Sequence, residues 1–348
     1  MDYRFLCMLA ACYMLLNCAH GQVSTNSVAN DFASQNEISI PTLDISGDTS
    51  RHVMIAQGTP EIRQGHPSTL LMPDGKIMFV IWTKGHGGKV DFLKKSTDAG
   101  LSWSELLPVP DNWHRHGNCP PLFWLPDPQG KERLMTFVNR GPQGLKMYRA
   151  ISEDEGETWS PFEPVLHPNG KDTMMADVMP FTAIVPVENG QKLLGVSNIR
   201  RPYEGGKTNM VVQSTSTDGG ESWSHWRMLL DLGDPFIPCE PELIRSPDGK
   251  QLLMLIRENK RAFNSWIMLS NNEGKTWSEH YQAAASVTMD RHQARYAPDG
   301  RLVIVGRDVA EKSPSKGHFG AWVGTYQDLV DGGEGEYRVK LLHTWKTT

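Results

Sequence analysis

Five times along the chain, a short run of apolar residues is followed by a turn that contains glycine and then by a second apolar run. The first copy begins at Pro67, turns at Asp74-Gly75 and ends near Val80. The other copies begin at Pro120, Pro180, Pro241 and Gln293. Apolar runs of this length, bounded by turn residues, predict β-strands joined by tight hairpins. The copies recur roughly 50–60 residues apart, which is typical of four-stranded propeller blades, so we interpret each pair as strands A and B of one blade.

A second pattern, Ser-x-Asp-x-Gly-x-Ser/Thr-Trp, occurs four times and is out of phase with the first. The copies occupy residues 96–103, 152–159, 216–223 and 270–277, with Asn272 in place of aspartate in the last. Aspartate hydrogen-bonds nearby amides and glycine supplies a positive φ, so this octad predicts a turn between strands C and D. Its tryptophan adds apolar area between neighbouring sheets. We interpret the octad as structural and assign it no catalysis.

The fifth strand pair has no octad, and residues 320–326 and 337–343 are predicted to form its outer strands. Residues 38–57 are candidates for closing strands but are too few for a whole blade. The sequence therefore predicts an all-β fold, a β-propeller of four-stranded blades. Five blades are favoured and six remain open.

Residues 1–21 have the features of a signal peptide, since a basic residue, Arg4, precedes an apolar run and small residues stand before Gln22. The alternative is lipid anchoring through Cys18, which follows a Leu-Leu-Asn sequence. No later apolar segment approaches the length that spans a membrane. We therefore expect a secreted or periplasmic protein whose residues 22–348 form one propeller domain.

The formal net charge of −5 argues against a basic surface for nucleic acid, and we expect no nucleic-acid partner and a monomer. Cys119 and Cys239 are the two cysteines beyond the leader, and one disulfide or two buried thiols both remain open. No His-x-x-His or Cys-x-x-Cys spacing occurs, and His114-x-His116 alone is too weak a signal. We therefore predict neither a metal nor a cofactor.

The order of strands predicts which rim of the ring carries chemistry. Because adjacent strands are antiparallel, strand A starts and strand B ends at one rim, while the A–B and C–D turns lie at the other. Candidate residues near the starts of strand A are Arg63, His66, His116, Asp177, Glu240, Asp290, Arg291 and His292. Arginines near the ends of strand B are Arg140, Arg200, Arg257 and Arg307. Converging arginines bind carboxylates well, which predicts an acidic oligosaccharide or glycoconjugate as ligand. The alternative is that they pair with local acids at a solvated rim.

The octads are identified as the Asp-boxes of the sialidase (neuraminidase) superfamily. The segment 240–259 also resembles a sialidase motif in which glutamate opens a strand and an arginine follows the next strand. The resemblance covers about residues 52–308. It implies that Glu240 takes the part of the glutamate beside a nucleophilic tyrosine. It also implies that Arg257 belongs to an arginine triad that binds the substrate carboxylate.

Several positions depart from that family. Gly65-His66-Pro67 stands where sialidases have Arg-Ile-Pro, and Arg63 lies two residues earlier. The loop that carries the family's acid offers only His86 or Asp91 here, and neither Tyr296 nor Tyr326 stands in the context of the nucleophile. The candidates for the third arginine are Arg291, Arg295 and Arg307.

Three functions remain open. The first is a glycoside hydrolase on a sialic- or uronic-acid-containing glycan, with carboxylate chemistry from Glu240, Asp177 or Asp290. In that case His66, His116 or His292 is an alternative proton donor. The second is a propeller that binds glycans without catalysis. The third is a polysaccharide lyase with a His or Tyr base, whose unsaturated product absorbs ultraviolet light.

Overall fold

The apolar strand pairs predicted from the sequence are the inner strands of five successive antiparallel sheets. The computed structural model describes residues 37–201 and 208–343. Blade one contains β2 (Gln64–Leu71), β3 (Met78–Lys84) and β4 (Val90–Ser96). Blade two contains β5 (Leu122–Pro126), β6 (Glu132–Val138), β7 (Tyr148–Ser152) and β8 (Glu163–Pro164). Blade three contains β9 (Ala183–Val187), β10 (Lys192–Arg200), β11 (Asn209–Ser216) and β12 (Arg227–Leu230). Blade four contains β13 (Pro238–Arg245), β14 (Leu252–Glu258), β15 (Trp266–Ser270) and β16 (Tyr281–Gln282). Blade five contains β17 (Met289–Tyr296), β18 (Leu302–Asp308), β19 (Phe319–Gly324) and β20 (Tyr337–Leu342).

The ring closes through a strand from the beginning of the described chain. β1 (Thr42–Asp44) pairs in parallel with β20, with Thr42 opposite Arg338. It is therefore the outermost strand of blade five, which explains why residues 38–57 supply no blade of their own. The fold is a five-bladed propeller, as favoured from the sequence, with three strands in the first blade and five in the last.

Helices are short in the described part of the chain. α1 (Tyr326–Asp331) begins at a capping box formed by Thr325 and Asp328 and ends at Gly332, whose φ of 69° suits glycine. The 3-10 helices are Thr49–Arg51, Asp111–Arg115 and Ala285–Val287. None of the described helices has the length and apolarity needed to cross a membrane. The predicted signal peptide lies outside the described residues and stays a prediction.

The hydrophobic core lies between neighbouring blades. One cluster joins blades two and three around Trp223, and another joins blades four and five around Trp322; both tryptophans are fully buried. The first blade packs on the second in the same way, with Phe79 and Leu134 in one cluster. Each sheet thus buries a face against a neighbouring blade, which favours the β-branched and aromatic residues that the strand pairs carry.

The octads form the predicted turns and repeat one set of bonds. In the second octad, Ser152 Oγ donates to Asp154 Oδ1 at 2.8 Å and accepts from Gly156 N at 2.8 Å, while Asp154 Oδ1 accepts from Thr158 N at 2.9 Å. The other three octads make the equivalent bonds. The octad tryptophans also reach across blades, as when Trp277 Nε1 donates to Gln213 Oε1 of blade three at 2.8 Å. The octad is therefore a turn held by its own hydrogen bonds, and its tryptophan also contacts the neighbouring blade.

The registers define two rims. In blade four, Ser270 opens the octad and lies opposite Leu252, at the A–B turn, whereas Pro238 at the start of strand A lies opposite Glu258 at the end of strand B. The octads and the A–B turns thus share one rim, which we call the octad rim. The starts of strand A define the opposite rim, which we call the A-start rim. Cys119 and Cys239 are both free and buried, so the open question of a disulfide is settled in favour of two thiols.

Candidate functional site

Strand A begins with an irregularity in four of the five blades. In three of them a bulge places two residues of strand A opposite one of strand B, so that the register shifts by one residue, between Gly65 and Ser68, between Cys239 and Glu242, and between Asp290 and Gln293. The residues released by these shifts have positive φ angles, as does the residue just before β5: His66 (46°), Cys119 (49°), Glu240 (48°) and Arg291 (54°). Bulges of this kind turn a side chain away from the regular ladder. A positive φ in a residue other than glycine costs free energy and is concentrated at functional sites.

These side chains come from different blades and interact with one another. Cys119 Sγ lies 2.8 Å from His66 Nδ1, and the guanidinium of Arg291 is close enough to favour the charged form of the thiol. Burial, followed by the positive charge of Arg291, lowers the pKa of His66 to about 4. Smaller contributions to that pKa come from Glu240 and Arg140, so both charges are also close. The A-start rim therefore gathers an imidazole, a thiol, a carboxylate and guanidinium groups.

Arg257 links two carboxylates in the same place. Its Nη1 donates to Glu240 Oε2 at 2.5 Å, and its Nε lies 2.7 Å from Asp290 Oδ1, an ion-pair contact whose geometry does not make a hydrogen bond. Its Nη2 donates to Asn259 Oδ1 at 2.5 Å. The side chains of Glu240 and Arg257 are each 13% exposed. Arg257 is thus occupied on every edge by groups of the protein itself.

Asp290 is surrounded by arginines. Besides Arg257, it accepts from Arg261 Nη2 at 2.7 Å and from Arg307 Nε at 2.8 Å. Asp290 is 4% exposed, whereas the side chains of Arg261 and Arg307 are 45% and 49% exposed. The carboxylate is therefore buried beneath two arginines that face solvent.

Blade three holds the glutamate from behind. Asn198 is fully buried in β10, and its Oδ1 accepts from the backbone N–H of Glu240 at 2.9 Å. Its Nδ2 has no hydrogen-bond partner within the described ranges. Asp177, also from blade three, accepts from the backbone N–H of Arg200 at 3.1 Å, and the side chain of Arg200 is exposed. The positive φ of Glu240 is thus fixed by a buried amide.

With this geometry in view, comparison with known proteins identifies the fold family. The sequence matches the BNR repeat-like domain over residues 64–233 and again over residues 128–317. The two overlapping matches together cover most of the chain, as expected for a repeated blade. The chain belongs to the BNR repeat-like family. No curated protein sequence matches it.

Solved structures share the BNR-type propeller at low identity. A protein of unknown function from Dyadobacter fermentans is 15% identical, with 82% of this chain and 84% of that chain covered and a TM-score of 0.59. An alpha-L-arabinanase from Penicillium chrysogenum, complexed with arabinobiose, is 16% identical, with coverage of 81% and 83% and a TM-score of 0.55. A Hadza microbial sialidase is 16% identical, with coverage of 80% and 58% and a TM-score of 0.56. At these identities the likeness concerns the fold, and it confirms the sialidase-like propeller expected from the Asp-boxes.

Several predicted site residues of this BNR propeller lie elsewhere. His116 is buried, bonds through Nδ1 to Asn112 O at 2.8 Å and packs on the rings of Tyr148 and Phe162. His292 is buried behind the cluster, where its Nε2 lies 3.1 Å from Ser265 Oγ, and burial lowers its pKa to about 4. Arg63 is exposed, and its backbone carbonyl accepts from Gly85 N. The contacts of both histidines are those of packed residues.

Of the residues considered for the sialidase acid, third arginine and nucleophile, Arg291, Arg307 and His86 lie at the A-start cluster and the others do not. His86 stacks edge-on against His66 with ring centroids 4.5 Å apart, whereas Asp91 pairs with His114 at 2.9 Å. Arg295 is exposed and lies 3.6 Å from Glu242. Tyr296 and Tyr326 donate to Arg245 O and Gln251 Oε1, both at the octad rim.

Sequence reasoning missed Cys119 as a site residue, because it considered this cysteine only as a disulfide partner or a buried thiol. The signal was present, because His66, Cys119 and Glu240 each stand directly before a proline at the start of strand A. Aligning the blades on these prolines places the three residues at one equivalent position. Arg261 was also missed, because it lies four residues beyond Arg257 in a loop with no repeated pattern.

Proposed function

We propose that this protein is an exported, monomeric glycoside hydrolase whose substrate carries an acidic sugar bound at the A-start rim. The observation that supports this most directly is the network of Glu240, Arg257 and Asp290, flanked by solvent-facing arginines. Five arginines (Arg140, Arg257, Arg261, Arg291 and Arg307) gather there around two carboxylates. A local excess of positive charge on a chain with a net charge of −5 favours an anionic ligand.

The two carboxylates suit different roles. Asp290 is buried and contacts three guanidinium groups, so it anchors arginines. Glu240 contacts one guanidinium, retains exposure and is set on a strained backbone. We assign Glu240 the proton-transfer or nucleophilic role in cleavage of the glycosidic bond, with Arg257 orienting it.

The arginines divide in the same way. Because the edges of Arg257 are occupied by Glu240, Asp290 and Asn259, it has no free fork for a substrate carboxylate. Arg307 and Arg261 share Asp290 and face solvent, which leaves N–H groups for a ligand. We therefore assign carboxylate binding to Arg307 and Arg261, a different assignment from that implied by the sialidase motif.

A second candidate function is glycan binding without cleavage. It is favoured by the observation that Glu240 and Asp290 are both paired with Arg257, which leaves neither carboxylate free of a cation. A hydrolase needs two carboxyl groups in distinct protonation states or an equivalent pair of groups.

The test is a glycan panel for the wild type, Glu240→Gln and Arg307→Ala. The panel contains sialylated, uronic-acid-containing and neutral arabinose oligosaccharides. Released sugar is measured by chromatography, unsaturated product by ultraviolet absorbance and binding by calorimetry. Arg301→Ala is the matched control, because Arg301 pairs with Asp299 at the octad rim.

We expect the wild type to release an acidic sugar and Glu240→Gln to lose roughly 10²–10⁴-fold in turnover while it still binds. Arg307→Ala should weaken binding of acidic glycans about tenfold or more through loss of a charge-assisted bond, and Arg301→Ala should behave as wild type. Binding of acidic glycans with no release would favour the second function. Release of neutral sugars alone, or full activity in Glu240→Gln, would overturn the proposal.

A further inference from the structure

A thiol lies beneath His66 at the A-start rim. Cys119 is 3% exposed, and its Sγ lies 2.8 Å from Nδ1 of the partly exposed His66. Two ligands of one metal ion lie further apart than this, and the neighbouring Arg291 and Arg140 disfavour a cation. The contact is therefore a hydrogen bond between a cysteine and a histidine.

The neighbours of Cys119 restrict where its proton points. Arg291, which lies nearby, has only N–H donors, so it offers the S–H group no acceptor. The remaining acceptors near the S–H group are His66 Nδ1 and Asn118 Oδ1, the latter at 3.3 Å. Asn118 is itself fixed, because its Nδ2 donates to Asn139 Oδ1 at 2.7 Å.

The neighbours of His66 decide between these acceptors. The backbone N–H of Gly87 points at Nδ1 from 3.4 Å, so Nδ1 presents a lone pair. Sγ lies closer to Nδ1 than to Asn118 Oδ1, so the thiol also donates its proton to Nδ1, which accepts from both the thiol and the Gly87 N–H. A neutral imidazole carries one proton, which in this arrangement is on Nε2.

We propose that Cys119 is a positioning residue that, together with the Gly87 N–H, holds His66 as a neutral imidazole with its proton on Nε2. His66 then serves the ligand as a hydrogen-bond donor and does not exchange protons with it. A fixed neutral donor binds an anionic oxygen of a sugar carboxylate, or a developing negative charge, without being deprotonated. The role toward a ligand rests on the proposed function, whereas the state of the ring does not.

The surrounding charges act in the same direction. The groups that face His66 are Arg291, Arg140, His86, Glu240 and the thiol, and among the charged ones the arginines oppose protonation while Glu240 favours it. Burial is the largest influence and lowers the pKa of His66 to about 4. Burial also raises the pKa of the Cys119 thiol, so the pair is a thiol and a neutral imidazole.

The test is side-chain ¹⁵N NMR of the full chain labelled at histidine, with the His66 signals assigned through His66→Gln. Cys119→Ser keeps a donor to Nδ1, Cys119→Ala removes it, and Cys239→Ala removes the other buried thiol as a control. The titration runs from pH 3 to 8, and we expect the Nε2–H tautomer above pH 5.5 with a midpoint near pH 4 in the wild type, Cys119→Ser and Cys239→Ala. In Cys119→Ala the midpoint should rise by about one unit, since a bond to the neutral form is lost.

An Nδ1–H tautomer in the wild type, or an unchanged midpoint in Cys119→Ala, would overturn the proposal whatever the activity. Thermal melts of each variant show that the NMR is measured on folded protein. With a cleaved glycan in hand, Cys119→Ser should retain turnover and Cys119→Ala should lose it. Loss of activity in Cys119→Ser with a covalent sugar adduct on wild-type Cys119 would make the thiol a nucleophile and would also overturn the positioning role. If no glycan is bound or cleaved, the proposed function fails while the NMR result still decides the state of His66.

Discussion

The two rims of the ring use repetition in opposite ways. At the octad rim, four turns carry nearly the same eight residues and make the same bonds. At the A-start rim, four blades share the same unusual backbone, yet the residue placed on it is histidine, cysteine, glutamate or arginine. A repeated backbone with a repeated side chain serves the blade, whereas a repeated backbone with different side chains builds an asymmetric site.

Within the A-start rim itself, two adjacent residues of β18 show the same division between a residue of the site and a residue of the scaffold. Arg307 is half exposed and contacts Asp290 of the site, while Asp308 is fully buried and pairs with Arg338 Nη2 at 2.9 Å. Ser315 Oγ adds a bond to Asp308 at 2.7 Å. Neighbouring charges on one strand thus point to opposite sides, one toward the proposed ligand and one into the blade.

The largest expected effect comes from breaking the buried pair. Arg338→Met leaves the Asp308 carboxylate buried without its cation, which should lower the free energy of unfolding by about 3–5 kcal/mol. Arg307→Met, the matched change at the site, should alter it by less than about 1 kcal/mol, since that ion pair is half exposed. Urea denaturation of both variants measures the difference. Equal losses would show that the site arginine is also structural.

The next effect concerns a glycine of the octad rim. Gly156 has a φ of 88°, and a Cβ there would lie 2.3 Å from the Phe79 ring of blade one. Gly156→Ala should therefore cost roughly 3–4 kcal/mol from left-handed strain and overpacking. Gly75→Ala, where φ is 70° and the space is open, should cost only about 1 kcal/mol from the strain. Similar losses in the two variants would argue that the octad does not press on its neighbour.

The pH dependence of stability distinguishes two buried groups of the A-start rim. Burial lowers the pKa of His292 to about 4, so the unfolded chain binds the extra proton between about pH 6.5 and 4 and stability is lost as the pH falls through that range. Burial raises the pKa of Glu242 to about 7, so stability is lost as the pH rises from about 4.5 to 7. Each contributes about 3 kcal/mol with opposite sign.

In the wild type the two contributions should nearly cancel, so that together they change the free energy of unfolding little between pH 4.5 and 7. Glu242→Gln removes one of them, so its stability should increase with pH over this range. His292→Gln should show the reverse slope. Denaturant titrations at four pH values measure both slopes. Parallel profiles in the two variants would contradict the opposing shifts.

The smallest expected effect tests the aspartate of the octad. Asn272 already occupies this position in the fourth octad, where its Oδ1 accepts from Thr276 N at 2.9 Å and its Nδ2 donates to Thr276 Oγ1 at 2.8 Å. Asp154→Asn should thus leave the melting temperature nearly unchanged at pH 7, and Asp154→Ala should lower it. Bonds from Thr158 hold the pKa of Asp154 at about 2, so any advantage of aspartate should vanish as the pH falls toward that value. A larger loss for asparagine than for alanine would contradict this.

Much of the fold follows from the sequence because its signals are local and repeated. The strand pairs and octads recur with a fixed order, so the position of Ser270 at the octad rim follows from strand alternation alone. The bulges at the starts of strand A cannot be predicted from the sequence. His66 and Glu240 each precede a proline, and a residue in that position normally avoids the positive φ that both adopt. Asn198 from another blade holds Glu240 there, and that contact joins residues far apart in the chain.

The residues of the candidate site followed from the sequence only in part. Strand order predicted that Glu240, Arg257 and Asp290 share one rim, and they lie in contact there, but His116 and His292 are packed elsewhere and Cys119 and Arg261 were not expected. Arg257 is paired with groups of the protein, while Arg307 faces solvent. This difference depends on distances of a few ångströms between blades four and five, which the sequence does not give. The same holds for Cys119, whose importance comes from the residue that touches it.

The short parallel pairing of Thr42–Asp44 with β20 joins segments from nearly opposite ends of the described chain. Bringing such distant segments together carries a large loop-closure entropy before any bond forms. The ring therefore remains an open arc until β20 has been synthesised. Blades one and five, which an open arc leaves without a neighbour on one side, would be the parts most exposed to proteases during maturation.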